Sequence, residues 1–307
     1  MKKAIWITAI VSPLILVSPR LFPQQGINQR PVIRTSVDVV NVLCTVRENK
    51  GKGRYVEGLT KEDFEVFEDG VPQTIQYFNH GMGEEADPLS IALLIDTSGS
   101  IKSKLAFEQL AAVEFLKSTL RQNKDLAAIV QFHEEIELLQ DFTYDQELLR
   151  SAIMKTRAGG GTKLYDAIFT VAEDLLGKEV GRRVAVVLSD GDDTLSMLNK
   201  KDAIRAAQEH DVVIFGLGIK SADTNYGALK DFSRDTGGLF VDSEIDLDRL
   251  REAFSKINGE IKNQYSIGYV SHNKARDGEF REIKVKVKRR GLKITHRKGY
   301  YAPKAES

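Results

Sequence analysis

The sequence predicts an α/β protein with a doubly wound, mostly parallel sheet and helices on both faces, plus a small β subdomain built from the two flanks of the chain. Two patterns predict this architecture. Over residues 88–263, short apolar runs alternate with segments of helical periodicity, which is typical of parallel strands joined by crossover helices. On either side, apolar and polar residues alternate with a period of two, as in strands with one exposed face.

The composition indicates a globular chain with a sizeable core. Its 307 residues are 42% hydrophobic and 29% charged with only 7 prolines, which excludes disordered, collagen and coiled-coil classes. Because 44 basic residues balance 44 acidic residues, no global charge attracts nucleic acid, and no nucleic-acid partner is expected. Cys44 is the single cysteine, so an internal disulfide framework and a multi-cysteine metal site are excluded.

The N-terminal segment has the pattern of an export signal. Lys2 and Lys3 precede a largely apolar run over residues 4–17, shorter than the roughly 20 residues that a membrane span needs. We therefore expect residues 1–25 to be a signal peptide and the protein to be exported, either periplasmic or secreted, and not transmembrane after cleavage. Because residues 18–21 offer no small-x-small cleavage site, retention of the segment as an uncleaved anchor stays open.

Both flanks of the chain are predicted to be β structure. Residues 31–84 contain a Val- and Thr-rich run at 34–46, then alternating segments separated by turn sequences and a short helical turn at 60–64. Residues 264–303 contain further alternating runs. Because two or three strands are marginally stable alone, we expect this C-terminal segment to pack with the N-terminal one.

The central region, residues 88–263, is predicted to alternate strands and helices. The candidate strands span residues 90–95, 126–132, 183–188, 212–219 and 238–241, with an antiparallel edge strand at 136–139. The candidate helices span residues 105–120, 146–155, 163–176, 201–210, 228–235 and 247–262. On the first helix, Leu105, Leu110, Val113 and Leu116 are expected to share one buried face.

Five oxygen-bearing side chains follow the predicted strands. Asp96, Ser98 and Ser100 come directly after the first strand, Asp190 follows a later strand, and Thr162 lies behind a run of glycines. Ligands of doubly wound sheets bind beyond the carboxyl ends of the strands, so we expect these side chains to converge there. Carboxylate and hydroxyl oxygens suit Mg²⁺, Mn²⁺ or Ca²⁺ rather than zinc or copper. The sequence therefore predicts a divalent-cation site.

These residues also resemble a known motif. The Asp96-x-Ser98-x-Ser100 run, the Gly-Gly-Thr162 loop and the Ser-Asp190-Gly turn are similar to the metal-ion-dependent adhesion site of von Willebrand factor type A domains. The flanks further resemble a bacterial subgroup of exported proteins related to von Willebrand factor A. The resemblance implies a Rossmann-like fold in which both serines bind the metal directly. It implies that the threonine binds directly or through water, and that the two aspartates bind mostly through waters.

The resemblance and the charge of the site imply recognition rather than turnover. Neutral hydroxyls leave the cation incompletely neutralised, so a carboxylate from an Asp or Glu of a protein partner would complete its shell. We therefore expect a non-catalytic, metal-dependent adhesion-type module. One open alternative is a structural or assembly protein whose β subdomain makes the contacts. The other is a metal-assisted hydrolase or phosphotransferase, although the five histidines are mostly predicted away from Ser98 and Ser100.

Two charged segments have competing interpretations. Asp192 and Asp193 either tune a metal or belong to a solvated loop with a helix cap. Lys284, Lys286 and Lys288 alternate with apolar residues, so they either form the solvated face of an edge strand or contact an anionic surface.

Overall fold

Three β-sheets and six α-helices make up the described part of the chain. A computed structural model describes residues 39–51, 53–83, 86–220, 224–244 and 246–305, all within one compact unit. The expected signal peptide, residues 1–25, lies outside these residues. No helix in the described ranges is long and apolar enough to cross a membrane.

The elements follow the predicted order of β flank, α/β region and β flank. The strands are β1 Val39–Glu48, β2 Phe64–Glu68, β3 Val71–Gln73, β4 Ile75–His80, β5 Leu89–Asp96, β6 Leu126–Phe132, β7 Ile136–Thr143, β8 Arg182–Ser189, β9 Val212–Ile219, β10 Phe240–Ser243, β11 Gln264–Val270, β12 Phe280–Val287, β13 Leu292–His296 and β14 Gly299–Tyr301. The helices are α1 Leu105–Thr119, α2 Gln146–Lys155, α3 Leu164–Thr170, α4 Lys200–Glu209, α5 Gly227–Thr236 and α6 Leu247–Lys262.

A six-stranded sheet forms the centre of the α/β region, in the order β10-β9-β8-β5-β6-β7. Its pairs are parallel except for β6 with β7, which is antiparallel at the edge. Alternate residues of β5 enter two separate apolar cores, one shared with α1, α2 and α6 and the other with α3, α4 and α5. Both faces are therefore covered, which explains why these strands read as continuous apolar runs. The prediction of a doubly wound, mostly parallel sheet is confirmed.

Two helices differ from the sequence-based expectation. The helix expected over residues 163–176 ends as an α-helix at Thr170 and continues as a π-helical turn and then a 3-10 turn.

On α1, the expectation that Leu110 is buried is wrong, because Leu110 is 46% exposed. At 3.6 residues per turn, Leu110 lies about 140° around the helix from Leu105. The buried face instead includes Phe115 and one charged residue, Glu108.

The two flanks build a β subdomain together, as the predicted fold class requires. One antiparallel sheet has the order β13-β1-β11-β4, in which strands from the two ends of the chain alternate. The other has the order β14-β12-β2-β3, in which two C-terminal strands lie beside two N-terminal ones. A third apolar core lies among their inner faces. The short strand β14 was not predicted from the sequence. In the first sheet, Val39 pairs with Val270 at one end of the β1–β11 ladder, and Thr45 pairs with Gln264 at the other.

The lysine-rich strand is not an edge strand. β12 lies between β14 and β2, which corrects the edge-strand interpretation. Lys284 and Lys286 are exposed on its outer face, and the Lys286 ammonium lies 4.5 Å from the centre of the Phe67 ring. Lys288 follows the strand, and its backbone N–H donates to the Asp63 carbonyl.

The β subdomain lies at the amino ends of the parallel strands. Arg182, the first residue of β8, donates to the Gly81 carbonyl at 3.1 Å and to Gln264 Oε1 at 2.6 Å. Arg121, just beyond α1, donates to the carbonyls of Gly83 and Asp87 at 2.8 Å. These contacts leave the opposite edge, where the loops after β5 and β8 meet, uncovered by the subdomain.

Candidate metal centre

Asp96 ends β5, and two hydrogen bonds hold its carboxylate. Oδ1 accepts from the backbone N–H of Ser98 at 2.8 Å, and Oδ2 accepts from the Ser189 hydroxyl at 2.6 Å. Burial raises the pKa of Asp96 to about 6, although both hydrogen bonds act in the opposite direction. A cation beside this carboxylate would favour its ionised form.

A chain of polar contacts joins the loop after β5 to the loop after β8. The hydroxyl oxygens of Ser98 and Ser100 lie 3.1 Å apart, and the Ser100 hydroxyl donates to Asp190 Oδ2 at 2.6 Å. Ser98 and Asp190 are buried, whereas Ser100 is exposed. Since β5 and β8 are adjacent and parallel, their carboxyl ends meet and bring these three side chains together.

The glycine-rich loop that carries Thr162 is tied to the same edge by backbone hydrogen bonds. The N–H of Gly99 donates to the Gly160 carbonyl at 3.1 Å, and the N–H of Gly159 donates to the Thr97 carbonyl at 2.7 Å. Thr162 itself is buried. The structure therefore brings all three predicted loops to the carboxyl edge of the sheet.

Gly191 sets the direction of the turn that carries Asp190. Its φ is +91°, a conformation that side chains rarely adopt, and an added Cβ would lie 2.3 Å from the Asn225 carbonyl oxygen. Its N–H donates to the Ser189 hydroxyl at 3.0 Å. Ser189, the last residue of β8, thus links this turn to Asp96 at the end of β5. This contact was not predicted from the sequence.

Glu108 is a further buried carboxyl group that the sequence analysis missed. It is fully buried on α1, and neither carboxyl oxygen has a hydrogen-bond partner. Burial raises its pKa well above the usual range, and the negative charges of Asp96 and Asp190 raise it further. Lys104 acts in the opposite direction, and its ammonium donates to the Lys220 carbonyl. A helical wheel centred on Leu105 and Ala112 would have placed Glu108 on the buried face.

The neighbouring charged residues are held by local contacts. Asp193 Oδ1 accepts from the Tyr165 N–H at 3.2 Å and from the Ser196 hydroxyl at 2.6 Å, close to the start of α3. His133 lies at the same edge of the sheet, just after β6, and its Nδ1 accepts from the Glu135 N–H at 3.2 Å.

The donor set fits a hard divalent cation. Within the described ranges, no three His, Cys, Asp or Glu side chains cluster as metal ligands. The candidate centre instead combines two carboxylates, one of them with a raised pKa, with the hydroxyls of Ser98 and Ser100, and the buried Thr162 lies on the adjoining loop. Oxygen donors of this kind suit Mg²⁺, Mn²⁺ or Ca²⁺, and the interlocked loops present them from one edge of a rigid sheet.

The fold and the candidate site together define a class of protein. It is an α/β domain with a doubly wound sheet, in which hydroxyl-bearing loops meet at the carboxyl edge and form a candidate cation site. The family model for the von Willebrand factor type A domain matches residues 90–255, more than half of the chain. The chain belongs to this family, which confirms the resemblance of its sequence motifs.

The chain is also similar to individual proteins. Mouse integrin alpha-M is 26% identical over 224 residues, which cover 66% of this chain but only 19% of the integrin. A von Willebrand factor type A structure from Catenulispora acidiphila is 14% identical, covers 89% of this chain and 76% of its own, and superposes with a TM-score of 0.50. Proximal thread matrix protein 1 from the mussel byssus, with a zinc-occupied MIDAS motif, is 16% identical, covers 62% and 49%, and has a TM-score of 0.52. The two structures share the fold of the α/β region.

Proposed function

We propose that this protein is a metal-dependent protein-binding module of the adhesion type. Asp96, Ser98, Ser100, Thr162 and Asp190 would hold Mg²⁺, Mn²⁺ or Ca²⁺, and an Asp or Glu carboxylate of a protein partner would complete the coordination. The observation that carries this proposal is the continuous contact from Ser98 through Ser100 to Asp190, beside the buried Asp96.

The chemistry of the site favours binding rather than catalysis. The cation would supply an electrophilic point that accepts a partner's carboxylate, since three neutral hydroxyls leave part of its charge uncompensated. Ser189 orients Asp96, and Gly191 orients Asp190, so the chain's own residues are arranged before the cation arrives. Proximal thread matrix protein 1, which shares this fold and has a zinc-occupied MIDAS motif, supports a metal-binding role.

We propose the same domain boundaries and location as the sequence indicates. Residues 88–263 form the von Willebrand factor type A domain, and residues 31–84 and 264–303 form the β subdomain. The pairing of β1 with β11 and of β2 with β12 supports this division. The charged and apolar pattern of residues 1–25 supports an exported protein, periplasmic or secreted, whose metal edge meets partners outside the cytoplasm.

Calorimetric titration of the metal-stripped protein with Mg²⁺, Mn²⁺ and Ca²⁺ tests the metal site. We expect one saturable site for at least one cation. Asp96→Ala and Asp190→Ala should each lower the affinity of this site for the cation at least about tenfold. Asp141→Asn, an exposed aspartate on β7, is the matched control and should bind like the wild type. Unchanged affinity in both alanine variants would contradict the assignment.

A further inference from the structure

Leu195 and Met197 form an exposed apolar pair beside the candidate metal centre. Met197 is 91% exposed and Leu195 is 45% exposed, and both lie in the loop between β8 and α4 that begins at Asp190. Scattered exposed apolar residues are normal in proteins, so exposure alone carries no meaning. The position and the rigidity of this pair give it significance.

The pair is attached directly to the loop that carries Thr162. The N–H groups of Thr194 and Leu195 both donate to the Thr162 carbonyl at 2.9 Å, and the Thr162 N–H donates to the Thr194 hydroxyl at 2.9 Å. The Leu195 side chain covers Gly161, where an added Cβ would lie 2.7 Å from Leu195 Cδ1. The apolar pair is therefore continuous with the proposed metal-binding surface.

Hydrogen bonds hold this loop in one conformation although its side chains face solvent. The Asp166 carboxylate accepts from the N–H of Met197 at 3.1 Å and from the N–H of Leu198 at 2.9 Å. The Ser196 hydroxyl accepts from the N–H groups of Tyr165 and Asp166 at 3.1 Å. A preorganised loop loses little conformational entropy when a partner binds, so its apolar side chains can contribute most of their burial energy.

Three acidic residues lie in the loops around the candidate metal centre. Asp192 and Asp193 follow Asp190 on one side, and on the other side the Glu134 carboxylate lies against Gly160, where an added Cβ would be 2.9 Å away. These charges disfavour a second carboxylate on the partner, because like charges brought together in an interface are repulsive. Beside its metal-binding carboxylate, the partner therefore needs an apolar rather than an acidic side chain.

We infer that Leu195 and Met197 determine specificity in the metal-dependent interface. The partner is a protein segment that presents one Asp or Glu to the cation and, at a fixed distance along its chain, an apolar side chain to Leu195 and Met197. This inference rests on the proposed function, of which it names the partner's chemistry.

A phage-displayed peptide library with a fixed Asp between randomised positions tests this inference. The library is selected on the purified full chain in Mg²⁺ and eluted with chelator. We expect enrichment of Leu, Ile, Met or Phe at one fixed offset from the Asp. A selected peptide should bind Met197→Ser or Leu195→Ser about tenfold more weakly than the wild type. A version of that peptide with Ser at the apolar position should bind the wild type and the variants alike.

Control variants separate the possible failures. Val180→Ser removes another exposed apolar side chain, just before β8 at the opposite edge of the sheet, and should not affect peptide binding. Met197→Ser should titrate with Mg²⁺ like the wild type. Metal-dependent peptides without a fixed apolar position, or with affinity unaffected by Met197→Ser and Leu195→Ser, would overturn this inference and leave the proposed function standing. No chelator-sensitive peptide at all would overturn both.

Discussion

The fold buries the carboxyl group of Glu108 in surroundings that disfavour its charged form. Its carboxyl oxygens are buried without partners, and Asp96 and Asp190 add negative charge nearby. Because its pKa is raised in the folded state, the folded protein retains a proton that the unfolded chain releases. The contribution of Glu108 to stability is therefore fully present below the unfolded pKa and is lost as pH rises towards the folded pKa.

Glu108→Met should stabilise the metal-free protein, and increasingly so as pH rises from about 4.5 to about 8. The free energy of unfolding of the variant should gain on the wild type by at most about 1.4 kcal/mol per pH unit. Urea unfolding in chelator across this range measures the difference. Glu114→Met on the same helix is the control: a hydrogen bond from Arg251 lowers the pKa of Glu114, so this group is ionised in both the folded and the unfolded state over most of the range and the difference should be nearly independent of pH. A pH-independent difference for Glu108→Met would contradict the prediction.

Single residues also show how far the sequence predicts the site. Asp96, Ser98 and Asp190 could be found because they end adjacent parallel strands, and the edge at which such strands end is known in advance. The contact of Ser189 with Asp96 could not be found, because it depends on which side of β8 the serine faces. Glu108 was missed because the predicted face extends from Leu105 round the helix to Leu110, whereas Glu108 lies on the other side of Leu105, within the face that is buried.

Helix α6 is joined to strand β1 by one buried carboxylate. Glu260, near the end of α6, accepts from the Thr45 hydroxyl at 2.5 Å and from the Tyr55 hydroxyl at 2.8 Å, and it pairs with Arg47. The Arg47 guanidinium also lies over the Tyr55 ring, 4.3 Å from its centre. This cluster fixes the α/β region to the β subdomain through side chains from both.

Glu260→Ala should destabilise the protein by about 1–3 kcal/mol, because it leaves the buried Thr45 hydroxyl and the half-buried Arg47 and Tyr55 without their acceptor. The free energy of urea unfolding measures the loss. Glu114→Ala is the matched control, since the ion pair of Glu114 with Arg251 of α6 is exposed, and exposed ion pairs contribute little to stability. Equal stabilities of the two variants would show that the Glu260 cluster does not hold the elements together.

The limits of the helices and strands were more predictable from the sequence than the pairing of the strands. The limits of β6, β9, α2 and α6 coincide with the predicted ones, because apolar periodicity and caps such as Asp246 are local features. The division of the β flanks into two sheets was not predictable, since it depends on pairing between residues more than 200 positions apart, such as Val42 with Ile267. The position of β12 inside its sheet has the same cause.

At the scale of the whole molecule, the two flanks depend on each other. β1 lies between β11 and β13, and β12 lies between β2 and β14, so removing one flank leaves strands of the other with open edges. Unpaired strand edges promote aggregation. The apolar cores on the two faces of the central sheet draw almost entirely on the α/β region itself.

Truncations test this dependence. A chain without residues 1–85, and a chain that ends at residue 263, should each aggregate, because unpaired strands remain exposed in both. A fragment of residues 88–263, which lacks both flanks, should stay soluble and monomeric with reduced stability. Size-exclusion chromatography and circular dichroism distinguish these outcomes. A soluble, folded chain after removal of one flank alone would contradict the interdependence.

The β1–β11 ladder also determines how the molecule would bear a mechanical load. Both covalent connections from this sheet to the α/β region, after His80 and before Gln264, leave from the end where Thr45 lies, whereas Val39 lies at the far end beside Val270. A pull on the chain at Val39, opposed by a partner held at the metal edge, would slide β1 lengthwise against β11. Their hydrogen bonds would then be strained together in shear rather than opened one after another.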